Sequence, residues 1–425
     1  MTSPAAPPLT TAQRIVVTFG LPPAGDDPAS APLAPLDIDD IDDIDDIDET
    51  ELRSLVNWAG HERLDGLLWS VLTSGDGLTA GASDDTHNGN GNGHGHGHGH
   101  GKGDNGANTD NADNANVDRL RQQASDSHAR GLRSSLAAEA AAVAAVDALD
   151  ATGIDVTLFK GLANAHLDYT RPEHRTFFDA DLLVARNDFG AAVDALVAAG
   201  FTRSTPPIRE RWEQRFARAT ELRSPDGIEI DLHASLATGY FGERLDHDAL
   251  RANADWIQLA GRRHRTFGPA ERLLISSYSI VLSRGPGVRL LRDLAQQLLV
   301  TGADWRRAAE LAGDGDVVVA RGLIEAADRL GFDHEAVDWA RTVAPTRTAA
   351  RALAYADDAH HQGWSADARS TMLALGQTER IRFLAGVVLP SRANLRARGR
   401  TITDHLSRPR RPASPHGEAT TDSDA

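Results

Sequence analysis

Residues 175–184, RTFFDADLLV, constrain the fold of this chain more than any other stretch. Their aromatic and aliphatic residues follow no helical spacing, so they predict a β-strand. Side chains two residues apart on a strand point to the same face, and Asp179 and Asp181 should therefore project side by side. Neighbouring carboxylates repel each other unless a cation lies between them, and Mg²⁺ is the usual cation for oxygen ligands. The alternative is a solvated strand end with two incidental acidic residues.

The composition excludes several classes of protein. The chain has 425 residues, enough for two domains, and its 41% hydrophobic content allows a substantial core. It has no cysteine, which excludes disulfides, thiolate catalysis and zinc–thiolate sites. Its formal net charge of −17 argues against general nucleic-acid binding, because that requires a basic face.

The expected location follows from signals that the sequence lacks. The N-terminal residues MTSPAAPP show neither the basic region nor the apolar region of a secretory signal peptide. No apolar run approaches the ~20 residues of a membrane span. We therefore predict a cytoplasmic protein with no membrane partner.

Three segments have compositions that do not support a packed core. Residues 1–50 are rich in Pro and Ala and carry an Asp–Ile triplet repeat over residues 37–48. They are predicted to be disordered, apart from a short apolar turn over residues 15–19. Residues 75–116 form a Gly-, His- and Asn-rich flexible insertion, whose histidines could alternatively bind Ni²⁺ or Zn²⁺. The tail over residues 407–425 is also predicted to be disordered.

A strand–turn–helix unit is predicted after an N-terminal group of helices. Apolar spacing predicts two short helices over residues 52–72 and a long Ala-rich helix over residues 117–150. Residues 154–159 predict a strand, which runs through Lys160-Gly161 into a helix over residues 162–169. The free N–H groups of such a unit bind phosphate oxygens well. The alternative is a tight βα turn with no ligand.

A second polar strand face is predicted around Asp231. Residues 220–223 and 228–233 flank the turn sequence SPDG, which predicts a β-hairpin. Alternation along the second strand places Asp231 and His233 on its polar face. The alternative for Asp231 is a solvent-facing carboxylate. For His233, a packed or exposed histidine is favoured over a role behind the metal ligands.

The remainder of the chain, over residues 269–400, predicts helices only. We therefore expect a strand-containing domain over residues 51–268 and a helical domain over residues 269–400. The first predicted helix contains residues 273–275. The later ones cover residues 288–300, 305–311, 317–330, 349–359 and 366–389.

Three motifs, taken in order, resemble those of a known family. They are LFKG at residues 158–161, the stretch at residues 175–184, and EIDLH at Glu229–His233. Together they resemble the bacterial group of uncharacterised nucleotidyltransferases, within the polymerase-β-like nucleotidyltransferase superfamily. The resemblance covers residues 51 to about 398, apart from the insertion. It implies an α+β fold, with a small mixed β-sheet core flanked by helices and an all-helical C-terminal region.

The same resemblance implies a reaction and a metal site. The reaction moves a nucleoside monophosphate from an NTP to a hydroxyl of a small molecule or protein, and pyrophosphate leaves. Asp179 and Asp181 would hold two Mg²⁺ ions, with Mn²⁺ as a substitute. Asp231 would complete the ligands of one ion and help to activate the hydroxyl.

The implied nucleotide contacts involve Lys160, Gly161 and Arg175. Lys160 and Gly161 would hold triphosphate oxygens, and Arg175 would neutralise phosphate charge. A structural salt bridge is the alternative for Arg175. Many members of the superfamily have Ser or Gly after the first glycine, whereas this chain has Leu162. Phosphate binding would then depend on backbone N–H groups and on Lys160.

The helical region departs from the group in one place and agrees with it in another. The group often has a histidine where residues 275–279 read ISSYS, so the acceptor should differ. The following sequence LLRDL resembles the group, and we expect its Asp293 to cap and pair within the helical bundle; the alternative is that it approaches the site. Two other functions stay open: a nucleotide- or partner-binding module without turnover on the same fold, and a helical interaction scaffold.

Overall fold

The computed structural model describes residues 9–19, 21, 49–74, 107–283, 287–362, 364–399 and 401. The acidic repeat, most of the insertion and the tail over residues 407–425 lie outside the described residues. Among the helices that are described, none combines the length and the apolar character needed to cross a bilayer.

One mixed sheet of seven strands occupies the middle of the described chain, between two helical regions. This arrangement confirms the predicted α+β fold with a small mixed sheet, flanking helices and a helical C-terminal region. The strands are β1 (Val156–Phe159), β2 (Asp179–Val184), β3 (Thr202–Arg203), β4 (Ala219–Arg223), β5 (Glu229–His233), β6 (Ala254–Leu259) and β7 (Arg262–Phe267).

Helices precede, interrupt and follow these strands. The helices up to the last strand are α1 (Thr11–Thr18), α2 (Glu49–Glu62), α3 (Asp65–Ser74), α4 (Ala107–Asp150), α5 (Gly161–Leu167), α6 (Phe189–Ala198), α7 (Glu210–Phe216), α8 (Gly239–Arg244) and α9 (His247–Ala252). The later helices are α10 (Pro269–Leu282), α11 (Val288–Ala295), α12 (Trp305–Ala312), α13 (Asp316–Leu330), α14 (Glu335–Thr342), α15 (Arg347–Gln362), α16 (Trp364–Ala374), α17 (Gln377–Val388) and α18 (Arg392–Ala397).

Strand β2 lies at the centre of the sheet, whose order is β3-β4-β5-β2-β1-β7-β6. It pairs in parallel with β5 and antiparallel with β1. Alternation directs Leu182 and Val184 to the face covered by α4 and α6, where both are buried. Asp179 and Asp181 belong to the opposite face. The predicted hairpin of β4 and β5 is confirmed, and its register sets Glu221 opposite Asp231.

Three strands were missed by the sequence patterns, and β6 and β7 show why. β7 reads RRHRTF, so its polar residues conceal the buried Thr266 and Phe267. The turn that joins the two strands is Ala260-Gly261, with positive φ at both positions. Asn-Gly or Asp-Gly is the usual signal for that turn, and alanine masks it.

Several predicted boundaries are wrong. α1 lies in the segment predicted to be disordered, where Thr10 and Gln13 form a capping box and Val16 and Val17 are fully buried. α4 begins at Ala107, inside the predicted insertion. The single helix predicted over residues 366–389 is two helices, α16 and α17. Capping and burial explain α1, whereas Gly376, at the N-cap of α17, was a local signal that was missed.

A shared core joins the sheet to the helices that follow it. Phe159, Leu183 and Phe267 of the strands belong to the same buried cluster as Leu274 of α10 and Leu291 of α11. Residues on both sides of the predicted boundary at residue 268 therefore pack together. This packing holds α10 and α11 against the sheet face that carries Asp179 and Asp181.

Candidate functional site

The acidic residues of β2 and β5 lie side by side on one face of the sheet. The parallel register sets Asp181 opposite Asp231, and Asp179 opposite Glu229. One ligand atom each from Asp181, Asp231 and His233 lie within 4.8 Å of one another. Hairpin β4–β5 thus brings Asp231 beside Asp181, as the sequence led us to expect. Asp179 lines the cavity next to Asp181.

Asp181 is held from two sides. Lys160 Nζ donates to its Oδ1 at 2.5 Å, and His233 Nε2 donates to the same oxygen at 2.8 Å. Burial favours the neutral acid, but the charge of Lys160 and the bond from His233 outweigh it and hold the pKa of Asp181 well below its usual range. The group is therefore an ionised carboxylate at neutral pH.

Asp231 and His233 are perturbed in opposite directions. Burial and the charge of Asp181 raise the pKa of Asp231 to about 6, although Lys160 and Arg218 oppose the rise. Burial and the charge of Lys160 lower the pKa of His233 to about 3, so its ring is neutral. The favoured expectation of a merely packed or exposed histidine is incomplete, because the fully buried ring orients Asp181. The alternation of Asp231 and His233 on one strand face was the available signal.

These residues fit a divalent cation. Carboxylate oxygens are the ligands that Mg²⁺ prefers, and an imidazole bonded to one carboxylate fixes its orientation. The ammonium group of Lys160, 2.5 Å from Asp181, shows that a cation is stabilised at this position. Asp181, Asp231 and His233 form the cluster that could hold an ion here, and Asp179 lines the cavity next to it.

The turn between β1 and α5 approaches the same carboxylates. Lys160 has φ 55° and ψ −130°, an unusual backbone conformation for a residue with a side chain. A Cβ on Gly161 would lie 3.0 Å from the Phe177 Cβ and 3.7 Å from an Arg175 nitrogen. Close packing against Phe177 therefore requires a small residue at position 161, whether or not its N–H binds a ligand.

Arg175 and Asp293 form a buried ion pair beside this turn. Arg175 Nε donates to Asp293 at 2.7 Å, and a second guanidinium nitrogen donates at 2.9 Å. Their exposed fractions are 3% and 1%, and the Tyr169 hydroxyl also donates to Asp293. The structural salt bridge, the alternative for Arg175, is therefore present. The favoured expectation for Asp293 is wrong, because its partner is Arg175, which precedes β2, and not a residue of the helical bundle. Asp293 also lines the cavity, which agrees with the alternative.

A cavity of about 390 Å³ opens above the carboxylates. Besides Lys160 and the paired Arg175, three arginines line it, namely Arg63, Arg218 and Arg289. None of these three forms a salt bridge with an acidic residue in the part of the chain that the structure describes. Sequence reasoning missed all three, because they come from a helix–helix turn, the start of a strand and a helix of the C-terminal region.

Arg63 and Arg289 are held at the cavity wall away from bulk water. The guanidinium of Arg63 lies 4.4 Å from the centre of the Phe178 ring, and burial lowers its pKa. Burial and the charge of Arg175 lower the pKa of Arg289 to about 10. Such partly buried cations without a paired anion favour binding of an anionic ligand.

Residues 48–317 match the sequence profile of a family described as uncharacterised nucleotidyltransferase. The chain belongs to this family. The match includes all seven strands and every sequence-predicted site residue, from Lys160 to Asp231. It confirms the family to which the three motifs pointed.

Other comparisons add little to this nucleotidyltransferase assignment. One solved structure with similarity is the crystal structure of an antigenic nucleotidyltransferase-like protein from Paracoccidioides brasiliensis. It is 19% identical, the TM-score is 0.29, and the alignment covers 47% of this chain and 96% of that chain. Among curated proteins, none matches this chain significantly.

Proposed function

We propose that this protein transfers a nucleoside monophosphate from an NTP to a hydroxyl group of another molecule. The observation that carries the proposal is the pairing of Asp181 with Asp231 across two parallel strands. Asp181 lines a cavity together with arginines that form no salt bridge among the described residues. Family membership supports the reaction class. Asp179, Asp181 and Asp231 would hold two Mg²⁺ ions, or Mn²⁺ in their place.

The side chains of this site would have different roles in the reaction. Bound divalent ions supply charge stabilisation at the phosphoryl oxygens. His233 keeps Asp181 oriented, and Lys160 keeps it ionised. Asp231 would complete the ligands of one ion and help to activate the attacking hydroxyl.

The triphosphate is assigned to the cations at the turn. Lys160 and the N–H of Gly161 lie at the start of α5, and Arg63 and Arg289 lie close to Asp179, since its charge acts on both. Arg175 is beside them, but its guanidinium is already occupied by Asp293 and by the Thr176 carbonyl. We therefore assign Arg175 to holding the turn in place, and the phosphate contacts to the other cations.

Labelled nucleotide tests the proposed activity. The protein is incubated with each of the four NTPs, labelled at the α-phosphate, together with Mg²⁺ and a cell extract. We expect the label to move to an acceptor only when the metal is present. Tight Mg²⁺–NTP binding with no transfer would instead support the module without turnover.

Arg289→Gln should weaken the binding of a Mg²⁺–NTP analogue by about 10- to 100-fold, because a charge-assisted hydrogen bond contributes about 1.5–3 kcal/mol. Isothermal titration calorimetry measures the change. The matched control is Arg347→Gln, which removes an exposed arginine from the start of α15, and it should bind like the wild type. Equal affinities for Arg289→Gln and the wild type would refute the assignment of phosphate to Arg289.

A further inference from the structure

A second cavity, of about 350 Å³, adjoins the first. The two cavities share four lining residues, namely Arg218, Ala237, Thr238 and Asp367. The second cavity extends past β4, and helices α7, α16 and α17 contribute to its walls. Glu221, the register partner of Asp231, lines it, so this cavity lies on the β4 side of the carboxylates, whereas the turn at Lys160 lies on the β1 side.

One wall of the second cavity is aromatic. Trp212, Phe216 and Phe383 line it, and the ring centre of Trp212 lies 5.7 Å from that of Phe216 and 5.5 Å from that of Phe383. The Trp212 indole nitrogen donates to the Phe383 carbonyl, so the rings are fixed in place. A fixed aromatic wall suits an apolar or planar part of a ligand.

Charged groups of both signs line the second cavity, and most have partners within the protein; Glu221 pairs with Arg223 and Glu243 with Arg215. Arg203 donates to Glu213 at 2.6 Å. Arg186 donates to the carbonyls of Arg215 and Ala217 at 2.8 and 3.1 Å. These groups are structural, because their hydrogen-bonding positions are occupied by the protein itself. Among the arginines that the structure describes in this lining, those whose side chains make no hydrogen bond or ion pair are Arg218 and the exposed Arg398.

Arg218 stands where the two cavities meet. Its backbone carbonyl accepts from Ala234 at 2.7 Å and from Ser235 at 3.1 Å, which anchors it beside the end of β5. Its side chain is partly buried and forms no salt bridge with a described acidic residue. It is also close enough to Asp231 for its charge to act on that carboxyl group. An anion bound to Arg218 would therefore sit next to Asp231.

We propose that the second cavity holds the acceptor, and that the acceptor is a small molecule with three parts. A hydroxyl group faces Asp231, an anionic group pairs with Arg218, and an apolar body lies against the aromatic wall. The cavity volume is in the range of small-molecule sites, which favours a metabolite over a folded protein or a polynucleotide. This inference rests on the proposed transferase function.

The reaction balances as a single displacement. The acceptor oxygen forms a bond to the α-phosphorus, and the bond from that phosphorus to the oxygen bridging to the β-phosphate breaks. The bridging oxygen leaves with pyrophosphate, and the hydroxyl proton passes to water. The product is a phosphodiester that still carries the anionic group of the acceptor.

A fractionated cell extract tests the acceptor class. Ultrafiltration divides the extract into a small-molecule and a macromolecular fraction, and each is incubated with the protein, Mg²⁺ and α-labelled ATP, GTP, CTP or UTP. We expect the label in a small product that a phosphomonoesterase does not cleave, because it is a phosphodiester, and that an anion exchanger retains. Label on protein or nucleic acid would overturn the acceptor proposal and leave the transferase function intact. No labelled product in either fraction would instead contradict the transferase function.

Two substitutions test the second cavity itself. Arg218→Gln should raise the apparent KM, measured in a dilution series of the small-molecule fraction, by at least about 10-fold. Arg218→Lys should restore part of the loss, because it returns the charge. Ala219→Leu adds bulk on the β4 side of the cavity and should raise the same KM. Calorimetric affinity for the Mg²⁺–NTP analogue should stay unchanged in all three.

Arg211→Gln is the matched control, because Arg211 is an exposed arginine of α7 that lines neither cavity. It should behave like the wild type in both assays. The acceptor proposal fails if Arg218→Gln and Ala219→Leu leave the apparent KM unchanged. It also fails if they weaken nucleotide binding instead, since Arg218 would then belong to the nucleotide.

Discussion

Replacing Asp181 with asparagine is expected to lower nucleotidyl transfer by about a thousandfold and to leave the fold intact. Asparagine keeps the shape of the side chain but removes the charge that Lys160 and His233 surround. It also removes one of the carboxylates assigned to the metal ions. The measurement is the initial rate of label transfer from an α-labelled NTP at saturating Mg²⁺.

The control for this substitution is Asp226→Asn, in the turn between β4 and β5. Asp226 is exposed and far along the hairpin from the paired carboxylates, so the rate should not change. Far-ultraviolet circular dichroism and the melting temperature should show that both variants are folded. An Asp181→Asn protein that retains activity within a few-fold of the wild type would remove the basis for the assigned site.

Asp293→Asn is expected to lower the free energy of unfolding by about 3–5 kcal/mol, because it leaves Arg175 charged and buried without its counter-ion. Urea denaturation of the two proteins measures the difference. The double variant Arg175→Met with Asp293→Leu should recover most of the loss, since an apolar pair of similar volume carries no desolvation cost.

An exposed ion pair gives the comparison. Arg341 and Asp328 lie 3.4 Å apart with exposed fractions of 52% and 60%, so Asp328→Asn should cost less than about 1 kcal/mol. If Asp293→Asn were as mild as Asp328→Asn, and its main effect were on NTP affinity, Arg175 would act on the nucleotide and not on stability. That result would restore the phosphate role that the sequence suggested for Arg175.

The parts of the fold that could be predicted from the sequence are those with local causes. The spacing of Asp179 and Asp181 fixes their common face, and the turn residues SPDG fix the hairpin that carries Asp231. The long helical region was visible in its apolar spacing. Each of these signals lies within a few residues, so no long-range contact had to be known.

The rest of the site depends on contacts that no local pattern contains. Arg63, Arg218 and Arg289 meet at one cavity, although 155 and 71 residues separate them along the chain. The partner of Arg175 is Asp293, on a helix of the C-terminal region. Such pairings arise when α10 and α11 pack on the sheet, and burial then selects which charges are paired. His233 could be predicted only in part from the sequence. Its position on the polar strand face was predicted, but its hydrogen bond to Asp181 was not.

The central claim is that three carboxylates from two strands gather to hold divalent metal. A crystal structure with Mn²⁺ and a non-hydrolysable NTP analogue tests it most directly, because anomalous scattering locates the metal. We predict Mn²⁺ about 2 Å from carboxylate oxygens of Asp179, Asp181 and Asp231, with Lys160 displaced from Asp181. Mn²⁺ bound elsewhere, or an Asp231 carboxylate turned away from the other two, would contradict the account.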